Sequence, residues 1–280
     1  MARVLLYSEV IGKIVAVLLW YFTSWTALGA VLFFGPDFFV LYHLFAPSGQ
    51  WICPSLTRFK ANGNEVWLTI DDGPDGEDTL RILNLLDRHA ARATFFVVGD
   101  RAAKRPDLIA EIVRRGHEIG HHTHTHPAGT LWCASPARLA RELDSALAVL
   151  RTAGARPGRF RAPVGIKNVF LAGALAARNM ECIGWTVRSG DWLAKRPEVV
   201  QQNVMRQMRP GAIILMHEGP SVPRPVRVEA ISLVLESLTT RGFRCVIPAF
   251  AQGSAVVEDQ SRAPLAPAPV HSPNPAASLN

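Results

Sequence analysis

Five histidines fall between His117 and His126, in the run GHEIGHHTHTHP, and the pair Asp71 and Asp72 closes an apolar run upstream. Imidazole nitrogens plus one carboxylate are the donor set of a catalytic divalent-metal site, in which three protein ligands leave a position open for water. A second carboxylate beside the ligating one is placed to take a proton from that water. Two adjacent carboxylates in low dielectric repel unless a cation or a proton separates them. His122 and His126 are four apart, a spacing that puts two rings on one face of a helical turn, and Pro127 then breaks the turn. The cluster also allows His117 with His121 as the ligand pair, with His124 assisting. Each group alone has a plain explanation as solvated turn residues, since D-G and G-P are turn signals. The two groups together point to a metal.

The elements that must hold these residues follow from the apolar patterning. Residues 66–71 read as a buried strand, 77–89 as a helix with Ile82, Leu83, Leu85 and Leu86 on its apolar side, and 93–98 as a second strand. A helix over 106–115 stops at Gly116, and a short strand over 117–121 runs into the histidines. Ser135 is a natural N-cap before Pro136, and Leu139, Leu143, Leu147 and Leu150 keep one face of the next helix apolar. Later strands are expected at 159–162, 181–187, 212–216 and 242–246, with helices at 168–178, 197–208 and 225–241. Strands alternating with helices imply an α/β fold with a parallel sheet under helices. About seven such strands suit a distorted or incomplete (β/α) barrel, whose chemistry sits at the C-terminal strand ends. Asp71, Asp72, the histidines and His217 all fall at such ends.

The chain has 280 residues, 49% of them hydrophobic. Much of the excess is local: residues 14–34 carry no charge, and about 20 apolar residues span a bilayer core of about 30 Å. A single transmembrane helix is expected there, with 38–46 too short to span and lying at the interface. Arg3 and Lys13 precede the span and no Lys or Arg follows until Arg58, which puts the N-terminus in the cytoplasm and the rest on the extracytoplasmic, periplasmic side. A cleaved signal peptide, with small residues at Ala27, Gly29 and Ala30, is the competing reading. The expected organisation is a membrane anchor over 1–46, a connector over 47–63, a catalytic domain over 64–250 and a disordered Pro/Ala-rich tail over 251–280. The net charge of +7 comes without a nucleic-acid motif, so nucleic acid is not an expected partner. None of the four cysteines forms a C-x-x-C pair, which argues against a cysteine zinc site; Cys182 and Cys245 read as buried small apolar residues.

Five segments in order resemble blocks of the polysaccharide deacetylase family, also called carbohydrate esterase family four, with its NodB-homology domain. They are TIDDGP at 69–74, HTHTH at 122–126, RAPVG at 161–165, SGDW at 189–192 and LMH at 215–217. The resemblance implies that Asp72, His122 and His126 hold a divalent metal, most simply Zn2+, with Co2+, Ni2+ or Fe2+ as alternatives. It implies that Asp71 is general base toward water and that His217 is the acid for the leaving amine. Asp191 would orient His217, and Arg161 would hold Asp71. Pro163 and Val164 would contact substrate, a backbone N–H near Val164 would face the oxyanion, and Trp192 and Leu215 would wall the acetyl pocket.

The chain departs from the family pattern at three places. His121 stands where the family usually has Asn, Val164 replaces an aromatic residue, and Arg188 stands where an acid is frequent, which suits an anionic substrate group. The expected function is removal of the N-acetyl group of an amino sugar in an envelope glycan or lipid-linked saccharide. O-deacetylation, deformylation of a lipid-linked sugar, and a catalytically inactive glycan-binding role are the alternatives.

Overall fold

A computed structural model describes residues 2–249, so the expected tail over 251–280 lies outside the described residues. Eight parallel strands form the sheet: β1 (Glu65–Gly73), β2 (Ala93–Val97), β3 (Glu118–His121), β4 (Arg159–Phe160), β5 (Glu181–Cys182), β6 (Val187–Arg188), β7 (Ile213–His217) and β8 (Arg244–Cys245). Seven run in the order β5-β4-β3-β2-β1-β7-β6, and β8 pairs with the start of β1. The sheet curls into an incomplete barrel, as the alternating pattern predicts.

Side chains alternate across the strands and so form two different cores. Outward, Leu68, Ile70, Phe95, Val97 and Ile214 meet the helices in one apolar cluster. The covering helices include α3 (Asp78–Arg88), α6 (Pro136–Thr152), α8 (Pro197–Gln207) and α9 (Arg227–Thr240). Helix α6 starts as expected, with Ser135 Oγ accepting the Arg138 N–H at 3.3 Å. Inward, the barrel is filled in polar layers. Trp67 Nε1 donates to Thr94 Oγ1 at 2.8 Å, Thr94 donates to Glu118 at 2.7 Å, and Arg159 bonds Glu118 while lying 4.7 Å over the Trp67 ring. One layer up, Arg161 lies between Thr69 and Phe96, and above that sits Asp71. The site therefore rests on a stack of satisfied polar groups.

Two expectations need correction, and one segment gains detail. The strand over 181–187 is two strands on opposite edges of the sheet, because Ile183 and Gly184 turn their carbonyls to the Arg161 guanidinium (3.3 and 2.8 Å). The connector over 47–63 packs on the sheet. Leu56 bridges Ile183 and Arg58 bridges Ala212, so the strap fills the seam between β5 and β6. The apolar N-terminus is not one span over 14–34 but two helices, α1 (Ala2–Phe22) and α2 (Thr26–Phe45). The break lies at Thr23, whose hydroxyl donates to the Leu19 carbonyl at 2.8 Å and accepts the Trp25 N–H at 3.1 Å.

The helices pair as a hairpin. Lys13 meets Asp37 at 2.9 Å, and Trp20 lies 5.3 Å from Phe33. Among the described residues, Thr26–Phe45 is the helix long and apolar enough to cross a membrane, and it takes in the stretch 38–46 expected to be interfacial.

Phe95 is fully buried between sheet and helices. Phe95→Ala should lower unfolding free energy by about 3–5 kcal/mol, seen as a lower urea midpoint at unchanged m-value.

Candidate active site

The register of the sheet brings the chemistry together. Asp71 on β1 faces His217 on β7, and His121 at the end of β3 pairs with both Val97 and Phe160. Asp72 follows in the left-handed region (φ 71°), its carbonyl held by Arg101. A side chain in place of Gly73 next to it would displace the buried carboxyl of Glu218.

Asp72, His122 and His126 each offer one donor atom, all within 4.8 Å of one another. Asp72 Oδ1 lies 3.2 Å from His126 Nε2 and 3.5 Å from His122 Nε2. His122 donates its Nδ1–H to the Arg161 carbonyl at 2.8 Å, which fixes the tautomer and leaves the Nε2 lone pair facing Asp72. Asp72 Oδ1 is buried and accepts no hydrogen bond. Burial pushes the His126 imidazole down to about 4, with His122 adding to the effect, so its ring is neutral at pH 7. Three electron-pair donors thus converge, the arrangement a divalent cation satisfies. The residues fit the expected metal.

The two histidines do not share a helical turn. They lie on a loop with Thr123 (φ 65°) and His126 (φ 55°) in the left-handed region. Glu142 shapes it, accepting from the His124 N–H (3.0 Å), the Thr125 N–H (2.9 Å) and the Thr125 hydroxyl (2.7 Å). The remaining histidines are not ligands. His117 accepts the Ala93 N–H at 3.3 Å, and His121 is bonded to the Leu143 carbonyl at 3.0 Å and the Thr123 N–H at 3.1 Å. Burial holds both near 4. His124 turns to Asp100 at 3.2 Å.

Asp71 does not join the donor set. Its Oδ1 takes the Arg161 Nη1–H at 2.7 Å, and its Oδ2 lies 3.9 Å from His122 Nε2. Arg161 is fully buried, and burial lowers its pKa against the opposing charge of Asp71. Across the cleft, Asp191 grips His217 twice, accepting the backbone N–H at 2.7 Å and pairing with Nδ1 at 2.8 Å. Burial alone would lower the His217 pKa. Asp191, with smaller contributions from the Asp71 and Asp72 charges, more than offsets it and raises the value to about 9, so the imidazolium persists at neutral pH.

The cleft is walled by Ala162, Val164, Gly165, Trp185 and Leu215 around these groups. Val164, at φ 50°, stands 57% exposed at the rim, and Pro163 is buried in the turn behind it. Trp192 is not among the lining residues; it lies half exposed with Arg188 5.5 Å over its ring, and Trp185 lines the cleft instead.

Sequence reasoning missed Trp185, Arg101, Glu142 and Glu218. Glu142 had a signal: it is an acid on the apolar face between Leu139 and Leu143. Glu218 directly follows His217, and its full burial, reinforced by Asp75 and Asp78, pushes its carboxyl up to about 8. Arg101 had none.

Comparison with known proteins identifies the family. Residues 59–183 match the family described as polysaccharide deacetylase. The chain is 35% identical to a chitooligosaccharide deacetylase of Bradyrhizobium over 64% of its own length and 86% of the relative's. It is also 35% identical to a peptidoglycan-N-acetylglucosamine deacetylase of Bacillus cereus, over 69% of this chain and 70% of that one. A solved structure of BA3943, a pseudoenzyme of carbohydrate esterase family four from Bacillus anthracis, superposes with a TM-score of 0.61 at 29% identity, covering 68% of this chain and 65% of that one. The chain belongs to the polysaccharide deacetylase family, hydrolases that act on the amide bond of N-acetylated sugars.

The His217 pair is directly testable in the metal-free protein. His217 should titrate near pH 9 by NMR, and Asp191→Asn should bring it back toward the ordinary 6.5. Because the folded value is raised, the pair's contribution to stability is full below pH 6.5 and is lost as pH rises through about 9.

Proposed function

We propose that the chain is a metal-dependent deacetylase that hydrolyses the N-acetyl group of an amino sugar in an envelope glycan or lipid-linked saccharide. The observation that carries the reading is the division of labour between two adjacent aspartates: Asp72 faces two histidines, and Asp71 is held off them by Arg161. A divalent cation held by Asp72, His122 and His126, most simply Zn2+, supplies Lewis acidity toward the acetyl carbonyl and lowers the pKa of water.

The chain's own groups do the rest. Arg161 engages Asp71 Oδ1, so Oδ2 is left to accept a proton from the attacking water. The backbone N–H near Val164 donates to the oxygen on which negative charge develops. His217 has Nδ1 committed to Asp191, so Nε2 delivers the proton to the departing amine. An amine is a poor leaving group until protonated, and an imidazolium that persists at neutral pH therefore suits an amide more than an ester. Leu215 lies against the acetyl methyl, and Arg188 beside Trp192 offers a cation to an anionic group of the substrate.

The N-terminal hairpin anchors the chain in a membrane. Its turn returns the chain to the side from which it entered, so the charge bias around a single span no longer orients it. The extracytoplasmic placement rests instead on the glycans named for the relatives, chitooligosaccharide and peptidoglycan.

Purified protein incubated with N-acetylated glycans should release acetate, and a chelator should abolish the release until a divalent metal is restored. Asp71→Asn should reduce kcat by about 10²–10⁴-fold, the range of a lost general base, while metal stoichiometry stays unchanged. Acetate release that ignores both treatments would count against the assignment.

A further inference from the structure

The cleft is built against the end of the apolar helix. Gly165 lines the cleft, and the space a side chain would need there is taken by Trp185 and by Pro47, whose Cγ would lie 3.0 Å from it. Pro47 comes two residues after the end of α2. The junction is fixed by Lys167, only 2% exposed. Its N–H bonds the Leu44 carbonyl at 2.8 Å, and its ammonium bonds the carbonyls of Pro47 (3.4 Å) and Gly49. Phe45 lies 5.6 Å from the Trp132 ring. A buried lysine spent on backbone carbonyls marks a rigid docking of helix on domain. The docked segment precedes the residues that match the family profile, which begin at 59.

The hairpin suits a lipid bilayer. Its helices of 21 and 20 residues are each about 30 Å long, the thickness of a hydrocarbon core. Large apolar residues point outward on both, among them Ile11 (61% exposed), Val17 (51%), Val31 (65%) and Phe38 (69%). The inner charges, Lys13 and Asp37, are paired with each other. Aromatic residues mark both ends, Tyr21 and Trp25 at the turn and Tyr42 and Trp51 at the domain. Past the helix end, Trp132 beside Phe45 and Val164 at the cleft rim are likewise exposed apolar residues.

From this docking we infer that the cleft works at the membrane surface, and that its substrate is an amphiphilic N-acetylamino saccharide whose lipid tail lies in the bilayer that holds the hairpin. The inference rests on the deacetylase reading and narrows its substrate class. Confining enzyme and sugar to one surface raises their effective concentration without any new contact. An aliphatic Val164 at the rim, in place of an aromatic platform for sugar stacking, suits contact with lipid.

The test uses the full chain in phosphatidylglycerol/phosphatidylcholine vesicles. One substrate is an N-acetylglucosaminyl glycolipid in the same vesicles, and the other is soluble chitotetraose at the same bulk concentration. The glycolipid should be turned over with a kcat/KM at least about tenfold higher. A ten-residue Gly/Ser insertion after Ala46 and, separately, Lys167→Met should each remove that preference, and turnover of chitotetraose reports that the domain remains folded. Equal turnover of the two substrates by the wild-type chain, or a preference that survives both variants, overturns the inference and leaves the deacetylase reading standing. No turnover of either substrate overturns that reading and this inference together.

Discussion

Arg161 is the residue on which the rest depends. Its guanidinium, sealed inside the barrel, has four hydrogen bonds: to Thr69, to Asp71, and to the carbonyls of Ile183 and Gly184. A buried cation must be paired and hydrogen-bonded, and this one is. Its own carbonyl takes the proton of His122 Nδ1. One residue therefore sets the free carboxylate on one side and the tautomer of a ligating histidine on the other. It also prevents a run of strand-forming residues from staying in one strand.

The second pairing, His217 with Asp191, is the electrostatic complement. The donor set needs neutral imidazoles, and for His126 burial supplies one by lowering its pKa. A proton donor needs a charged imidazole, and a carboxylate gripping both its backbone and its ring supplies that for His217. Two histidines within one cleft are thus driven in opposite directions by their surroundings, one kept neutral to offer an electron pair and the other kept charged to give a proton. The β1–β7 register, with Asp71 opposite His217, keeps the two sets adjacent.

Much of this was legible in the sequence because it is local. The apolar run ending in two aspartates had to be a buried strand, and Pro136 after Ser135 had to open a helix. That histidines and one of the two aspartates would share a metal was readable from their types and their positions at strand ends, while the choice of Asp72, His122 and His126 came from the family resemblance. What was not legible depends on distant partners. The split of 181–187 is set by Arg161, some twenty residues earlier. The loop that carries His122 and His126 is shaped by Glu142, so their spacing of four is not a helical repeat. The choice among five histidines is made by Leu143, Ala93 and Asp100, none of which the spacing reveals. The helix break falls at a short polar patch, Thr23 and Ser24, inside a long apolar run, where the Thr23 hydroxyl takes up local backbone bonds.

The strap across the barrel seam has a consequence for solubility. Parallel strands at the rim of an unclosed sheet carry unpaired N–H and C=O groups, a template for another chain. Here Leu56 gives its N–H to the Cys182 carbonyl at 2.9 Å and takes that of Gly184 at 2.8 Å, so the rim at β5 is already occupied. A fragment trimmed to begin at residue 59 would uncover that rim and invite strand-to-strand association between copies. Residues that contribute nothing to the chemistry thereby cover the open rim of the sheet.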